Sequence, residues 1–223
     1  MATFEAFVFD MDGVLTDTES LWDEVRRGLA ADAGLAWPEE ATDAMMGMST
    51  PEWSAYLVDT VGLPGPPERA ATEVIDAMAA RYHEQLPTLP GAVAAVRRIA
   101  GIMPIGLASS SPRRLIDAVL AELELVDLFT ATVSTEEVER GKPAPDGYLR
   151  ACALLGVDPA RCAAVEDSSN GLRAAHAAGM TVIAVPHPWH RPAEDALALA
   201  AAVLESLDEL DESLLVRLAE GRA

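Results

Sequence analysis

The chain has 223 residues, half of them hydrophobic, and a formal net charge of −20, with 36 acidic against 16 basic side chains. That length suits one large or two small domains with a sizeable core. The charge repels nucleic acid and anionic membrane, which argues against both as partners. It also means that an anionic substrate has to be met by a local metal ion and a local lysine.

The first element is the apolar run Ala6-Phe7-Val8-Phe9, which no polar residue interrupts. It reads as a fully buried parallel strand. Charges are almost never found inside such a strand, so Asp10 and Asp12 are expected at its carboxyl end, where open α/β sheets place their ligands. In extended backbone, side chains two apart face the same way. Two carboxylates converging on one point repel each other unless a cation or a proton lies between them. Gly13 then allows a turn that a side chain would resist. Taken alone, such a pair also suits a turn or a helix N-cap.

Helical sequence follows from Thr18, a plausible N-cap, to about Gly34. From Ala36 to Pro87 the pattern stays mostly helical, broken at Gly47, across Gly62–Pro67 and at Pro87. No strand is expected between residues 18 and 87, so this stretch reads as a small helical domain inserted after the first strand.

From Pro90 onward strands and helices alternate. Helix Ala92–Ala100 leads to strand Ile102–Ala108, which ends in Ser109-Ser110-Ser111-Pro112. A helix over about 112–123 precedes strand Ala131–Val133, the loop Arg140-Gly-Lys142-Pro-Ala-Pro-Asp146 and a helix to about Leu155. Strand Cys162–Val165 runs into Glu166-Asp167-Ser168-Ser169-Asn170-Gly171, and a helix through His176 leads to strand Thr181–Val185. Ala196–Leu204 reads as a surface helix. Repeated β-then-α units predict an α/β protein with a parallel, doubly wound sheet. Asp10, Ser109 and the pair Glu166-Asp167 each follow an apolar strand, so the polar residues gather at one edge of that sheet.

No apolar run reaches the ~18 residues of a membrane span, and no charged-then-apolar leader precedes the first strand, so a soluble cytoplasmic protein is expected. Cys152 and Cys162 are the only cysteines and lack metal-ligand spacing. They are expected to be buried free thiols in a reducing compartment. Asp146 suits a helix N-cap, and His187-Pro-Trp-His190 a loop.

The motifs F-D-M-D-G-V-L-T-D-T-E, L-A-S-S-S-P, G-K-P-A-P-D and V-E-D-S-S-N-G, in this order, resemble the haloacid dehalogenase-like superfamily, specifically its phosphatases and sugar phosphomutases with a helical cap. The resemblance covers nearly the whole chain. It implies a Rossmann-like core, residues 1–16 and 88–223, with an all-helical cap over 17–87. It also implies a Mg²⁺-dependent enzyme that works through an aspartyl-phosphate on Asp10. The metal would be held by Asp10, Asp167 and the main-chain carbonyl of Asp12, while Glu166 orients a metal-bound water. Asp12 would be the general acid/base. Ser109 and the amide of Ser110 would hold phosphoryl oxygens, and Lys142 would supply fixed positive charge.

On this reading the chain is a phosphatase acting on a small phosphorylated metabolite, a hexose or polyol phosphate, as a monomer or weak homodimer. A sugar phosphomutase is the alternative. The mutases use a cap histidine, a cap arginine and a lysine after the serine run. Here Trp22 stands at the histidine position, Met46-Gly-Met-Ser-Thr50 has no arginine and Pro112 replaces the lysine, leaving Arg113 or Arg114 as anion contacts. A non-catalytic phosphometabolite-binding module is a third reading, which the acid set argues against. Phosphonate cleavage is discarded, because no lysine occurs between residues 1 and 141. Trp22, Met45–Thr50, Trp53 and Tyr82 are the cap residues expected to set substrate choice, with core packing the competing role for Trp53 and Tyr82.

Overall fold

The opening apolar run forms strand β1 (Ala6–Phe9), and all four of its side chains are buried. The computed structural model describes residues 4–45, 48–187 and 191–221, with only the backbone of Asp43. β1 sits at the centre of a six-stranded, all-parallel sheet with β2 (Ile105–Ser109), β3 (Phe129–Ser134), β4 (Cys162–Glu166), β5 (Thr181–Ala184) and β6 (Ala202–Val203), in the order 3-2-1-4-5-6. The chain leaves β1 toward β2 and β3 and later returns to the opposite side of β1 with β4. A crevice therefore opens at the carboxyl ends of β1 and β4, where the winding reverses.

The chain divides into two compact units, 1–17 with 87–223 and 18–86. In the first, helices alternate with strands: α5 (Ala92–Ala100), α6 (Arg113–Glu122), α7 (Asp146–Leu155), α8 (Ser169–Ala177), α9 (Glu194–Leu197) and α10 (Glu212–Glu220). Ala6 and Val8 of β1 pack with Ala164 of β4 against Tyr148, Ala151 and Cys152 of α7 and Leu172 and Ala175 of α8. Small side chains on these helices let them settle closely on the sheet. Cys152 and Cys162 are free thiols buried in this layer, as expected.

The second unit holds α1 (Glu19–Asp32), α2 (Ala41–Met45), α3 (Thr50–Tyr56), continued by a π-turn over Leu57–Val61, and α4 (Pro67–Glu84). Its breaks at 62–67 and after Glu84 fall where glycine and proline predict them, and Gly47 lies outside the described residues. Trp53 and Tyr82 are buried, as is Trp22. The guanidinium of Arg26 lies 4.8 Å and 5.1 Å from the ring centroids of Trp22 and Trp53. Burial lowers its pKa to about 10, against the opposing pull of Glu19 and Asp23. The sequence reading overlooked this buried arginine.

Four local expectations need correction. β2 starts at Ile105, because the amides of Ile102 and Met103 close a turn onto Ile99 O and Pro104 follows. Ala196–Leu204 is not one helix. After α9 it turns and forms β6, with Ala201 and Leu204 donating to Val182 and Ala184 on the edge of β5. Thr18 does occupy the N-cap position of α1, where its carbonyl accepts from the Trp22 amide, but its side chain makes no capping bond, since its backbone is already helical and not extended. Asp146 is the first residue of α7. Pro145 takes the cap position, and the Asp146 carboxylate receives Arg140 at 3.0 and 3.2 Å.

Candidate active site

Each strand that flanks the crevice ends in a polar residue. Asp10 directly follows β1, Ser109 closes β2, Ser134 closes β3 and Glu166 closes β4. A buried apolar strand delivers such a residue to the rim with its backbone already paired: the Asp10 amide donates to Val165 O at 3.1 Å. The loop from β3 to α7 brings in Lys142, the only lysine in the chain.

Lys142 Nζ donates to Asp10 Oδ1 at 2.7 Å and to Glu166 Oε1 at 2.6 Å, and all three side chains are almost fully buried. Burial alone would lower the lysine pKa, but Asp10 and Glu166 outweigh it and hold it above its ordinary value. Tyr148 of α7 donates its hydroxyl to the same Glu166 oxygen at 2.7 Å, and Lys142 Nζ sits 5.2 Å from the centre of its ring. The other oxygen, Glu166 Oε2, accepts from the amides of Asp167 and Ser168 and from Ser168 Oγ at 3.1–3.2 Å. Both oxygens of Glu166 thus accept hydrogen bonds from buried or partly buried donors.

Asp10, Glu166 and Asp167 each present an oxygen within 4.8 Å of the others. Burial first, and then Glu166, push Asp10 up from 3.8 to about 7, and Asp167 is raised well above its ordinary value for the same two reasons. Asp167 Oδ1 is buried with no hydrogen-bond partner among the described residues. One lysine cannot neutralise three buried carboxylates. An all-oxygen set with an unpaired buried oxygen suits a hard divalent cation such as Mg²⁺, and Asp10 and Asp167 are the residues free to hold it.

Two glycines make this packing possible. A β-carbon on Gly13, which has φ of +82°, would overlap Asp167 Oδ2, and one on Gly171 would overlap the Glu166 carboxylate. Gly171 at the start of α8 is therefore moulded to Glu166.

Asp12 lies on the loop after β1. Its Oδ2 accepts from Ser111 Oγ at 2.6 Å and its Oδ1 from Thr16 Oγ1 at 3.3 Å. Ser109 is buried, and its Oγ accepts from the Ser111 amide at 3.0 Å. Ser110 is exposed, with its carbonyl accepting from Thr135 at 3.4 Å. The structure thus brings Asp10, Lys142, Glu166 and Asp167 into one cluster, and ties Asp12 to the β2 serine run through Ser111.

Arg113 is not available as an anion contact. Its guanidinium grips both oxygens of Glu137 at 2.6 and 2.8 Å and also Thr132, which raises its pKa. His187 lies 3.6 Å from Asp17, and 188–190 fall outside the described residues. Tyr148, Ser111 and Thr16 were missed as site residues. The one available signal was the position of Tyr148 six residues after Lys142, within reach of a buried loop lysine.

A profile of the haloacid dehalogenase-like hydrolases matches residues 4–179. Hexitol phosphatase B of Escherichia coli (strain K12) is 37% identical over 213 residues, covering 92% of this chain and 93% of the relative. The crystal structure of CbbY from Rhodobacter sphaeroides in complex with phosphate superposes with a TM-score of 0.84 at 27% identity, over 96% of this chain and 99% of that one. β-Phosphoglucomutase from Clostridium difficile superposes with a TM-score of 0.80 at 25% identity, over 98% of both chains. With its acids at the rim of a 3-2-1-4-5-6 sheet and this extent of similarity, the chain belongs to the haloacid dehalogenase-like hydrolases.

Proposed function

We propose that the protein is a Mg²⁺-dependent phosphatase acting on small phosphomonoesters, hexose or polyol phosphates, in the cytoplasm. The observation that carries this reading is Asp10 held at 2.7 Å by Lys142 beside two further buried acids, with Asp12 hydrogen-bonded two residues on. The likeness to a hexitol phosphatase supports the substrate class.

In this mechanism Asp10 attacks phosphorus, forming its carboxylate O–P bond as the P–O bond to the alcohol breaks. Asp12 gives its proton to the departing alkoxide. In the second half Asp12 takes a proton from water, whose oxygen attacks the aspartyl-phosphate and restores Asp10. Lys142 keeps Asp10 oriented and offsets negative charge as the phosphoryl group arrives, and Ser109 and the Ser110 amide receive phosphoryl oxygens. Asp10, Asp167 and the main-chain carbonyl of Asp12 would hold Mg²⁺, which would supply positive charge to offset the repulsion between a carboxylate nucleophile and a phosphate. Glu166, occupied by its own donors, orients this assembly. The helical segment 17–87 is assigned the role of the cap that sets substrate choice.

The test is Mg²⁺-dependent phosphate release from a panel of sugar and polyol phosphates. Release should vanish in Asp10→Ala and on chelation; activity surviving both changes ends the proposal. Binding of sugar phosphate with zero turnover would favour a non-catalytic module. The similarity to β-phosphoglucomutase favours a phosphomutase as second reading. Against it, Arg113 is committed to Glu137, and Pro112 stands where a lysine would hold a second phosphate. Interconversion of glucose 1- and 6-phosphates primed by bisphosphate would establish the mutase, and phosphate release alone would dismiss it.

A further inference from the structure

The serine run after β2 does more than begin α6. Ser111 is nearly buried, and three of its polar groups are engaged. Its amide donates to Ser109 Oγ at 3.0 Å, its carbonyl accepts from Ser134 Oγ at 2.7 Å, and its hydroxyl donates to Asp12 Oδ2 at 2.6 Å. Pro112 follows, and its carbonyl opens α6 by accepting from Leu115 and Ile116. The backbone of Ser111 is thus fixed from the ends of two strands and the start of a helix. Asp12, by contrast, sits on a loop and is only partly buried.

We propose that Ser111 is a positioning residue for Asp12: its hydroxyl, committed to Oδ2 while Thr16 donates to Oδ1, fixes the orientation of the carboxylate that transfers the reacting proton. This rests on the acid/base reading of Asp12 given above. A hydroxyl has one proton to donate, and at 2.6 Å it is committed to a single carboxylate oxygen. The carboxylate held in this way gives its proton to the leaving alcohol and then takes the proton of the water that cleaves the aspartyl-phosphate. Ser111 forms no bond to substrate in this scheme. It acts through Asp12, and Ser134 holds it in place from β3.

The experiment uses the full chain with Mg²⁺ and p-nitrophenyl phosphate, whose leaving group needs no proton at neutral pH. Forming the aspartyl-phosphate is then insensitive to Asp12, whereas its hydrolysis is not. Ser111→Ala should lower kcat roughly 10- to 100-fold, the scale of a misplaced catalytic group. KM should fall in step with kcat, because only the second step is slowed, so kcat/KM and inhibition by inorganic phosphate should stay within about twofold. Rapid-quench measurement should show a p-nitrophenolate burst with accumulated phosphoenzyme, and Ser111→Thr, which keeps the hydroxyl, should restore most of kcat.

Asp12→Asn is the reference. If it turns over like the unsubstituted protein, the acid/base reading fails and the proposal fails with it. If Asp12→Asn is crippled while Ser111→Ala keeps its kcat, only the positioning role is overturned. A rise in KM and in the phosphate inhibition constant at unchanged kcat also overturns it, since Ser111 would then be a phosphate ligand. Should Ser111→Ala fail to fold, Ser111→Cys, similar in size with a weaker donor, must show the same loss of kcat.

Discussion

Tyr148 and Glu166 are joined by a buried hydrogen bond of 2.7 Å, and the phenol shares its acceptor oxygen with Lys142. The bond ties helix α7 to the end of β4, and burial and the charge of Glu166 hold the phenol well above its ordinary pKa. Tyr148→Phe keeps the ring beside Lys142 and removes one of the donors to Glu166. The expected cost is about 1.5–3 kcal/mol of stability, as for a buried bond to a charged acceptor. Denaturant unfolding checks it, and a fall in kcat larger than any change in KM would show that Glu166 needs this anchor.

Lys142 answers two buried carboxylates at once. Lys142→Met removes the charge and leaves Asp10, Glu166 and Asp167 facing one another. Breaking a buried pair in this way costs about 3–5 kcal/mol. Added Mg²⁺ should recover part of that stability, while kcat should stay down by roughly 10²–10³-fold, the scale for losing one fixed electrostatic contact. Thermal melts with and without Mg²⁺, together with initial rates, test both halves. Because the chain has a single lysine, ¹⁵N-lysine labelling follows this one ammonium directly.

The carboxylates give a pH dependence with a definite sign. Burial and Glu166 raise Asp10 from 3.8 to about 7, and Asp167 moves the same way. Both groups therefore bind protons more tightly folded than unfolded. Their contribution to stability is complete below the ordinary carboxylate range and is lost as pH rises through about 7. Chelator-treated protein should melt at lower temperature at about pH 8 than at about pH 5, other groups being equal. Mg²⁺ competes with those protons, so its stabilising effect should grow over the same interval. A Mg²⁺ affinity that does not change with pH would contradict this.

Gly13 and Gly171 are spaces that carboxylates fill. Gly171→Ala would push Glu166 off its donors. Gly13→Ala would press on Asp167 and place a side chain at positive φ. Overpacking of this kind costs about 1–3 kcal/mol. Gly171→Ala should also depress Mg²⁺-dependent activity. By comparison, Gly28→Ala, in the interior of α1 where a β-carbon meets nothing within 4 Å, should raise stability by about 0.5–1 kcal/mol and leave activity close to unchanged. Melting curves and phosphate release distinguish the two glycines from this control.

The polar rim was legible because β1, β2 and β4 are short buried apolar runs, so the first polar residue at the end of each marks the strand end. That reasoning placed Asp10, Ser109, Glu166 and Asp167 at one edge, and the alternation after Pro90 indicated the doubly wound sheet. It failed where a short apolar stretch suits either element: Ala196–Leu204 became a turn and β6, because the open edge of β5 offered backbone partners. Residue composition and strand order thus settled which elements form and which acids reach the rim. Tertiary structure alone decided who holds those acids. Ser111 reaches Asp12 across 99 residues, and Tyr148 reaches Glu166 from an ordinary helical pattern. A hydrogen bond between distant side chains leaves no periodicity in the chain, so only the packed sheet and helices could reveal these partners.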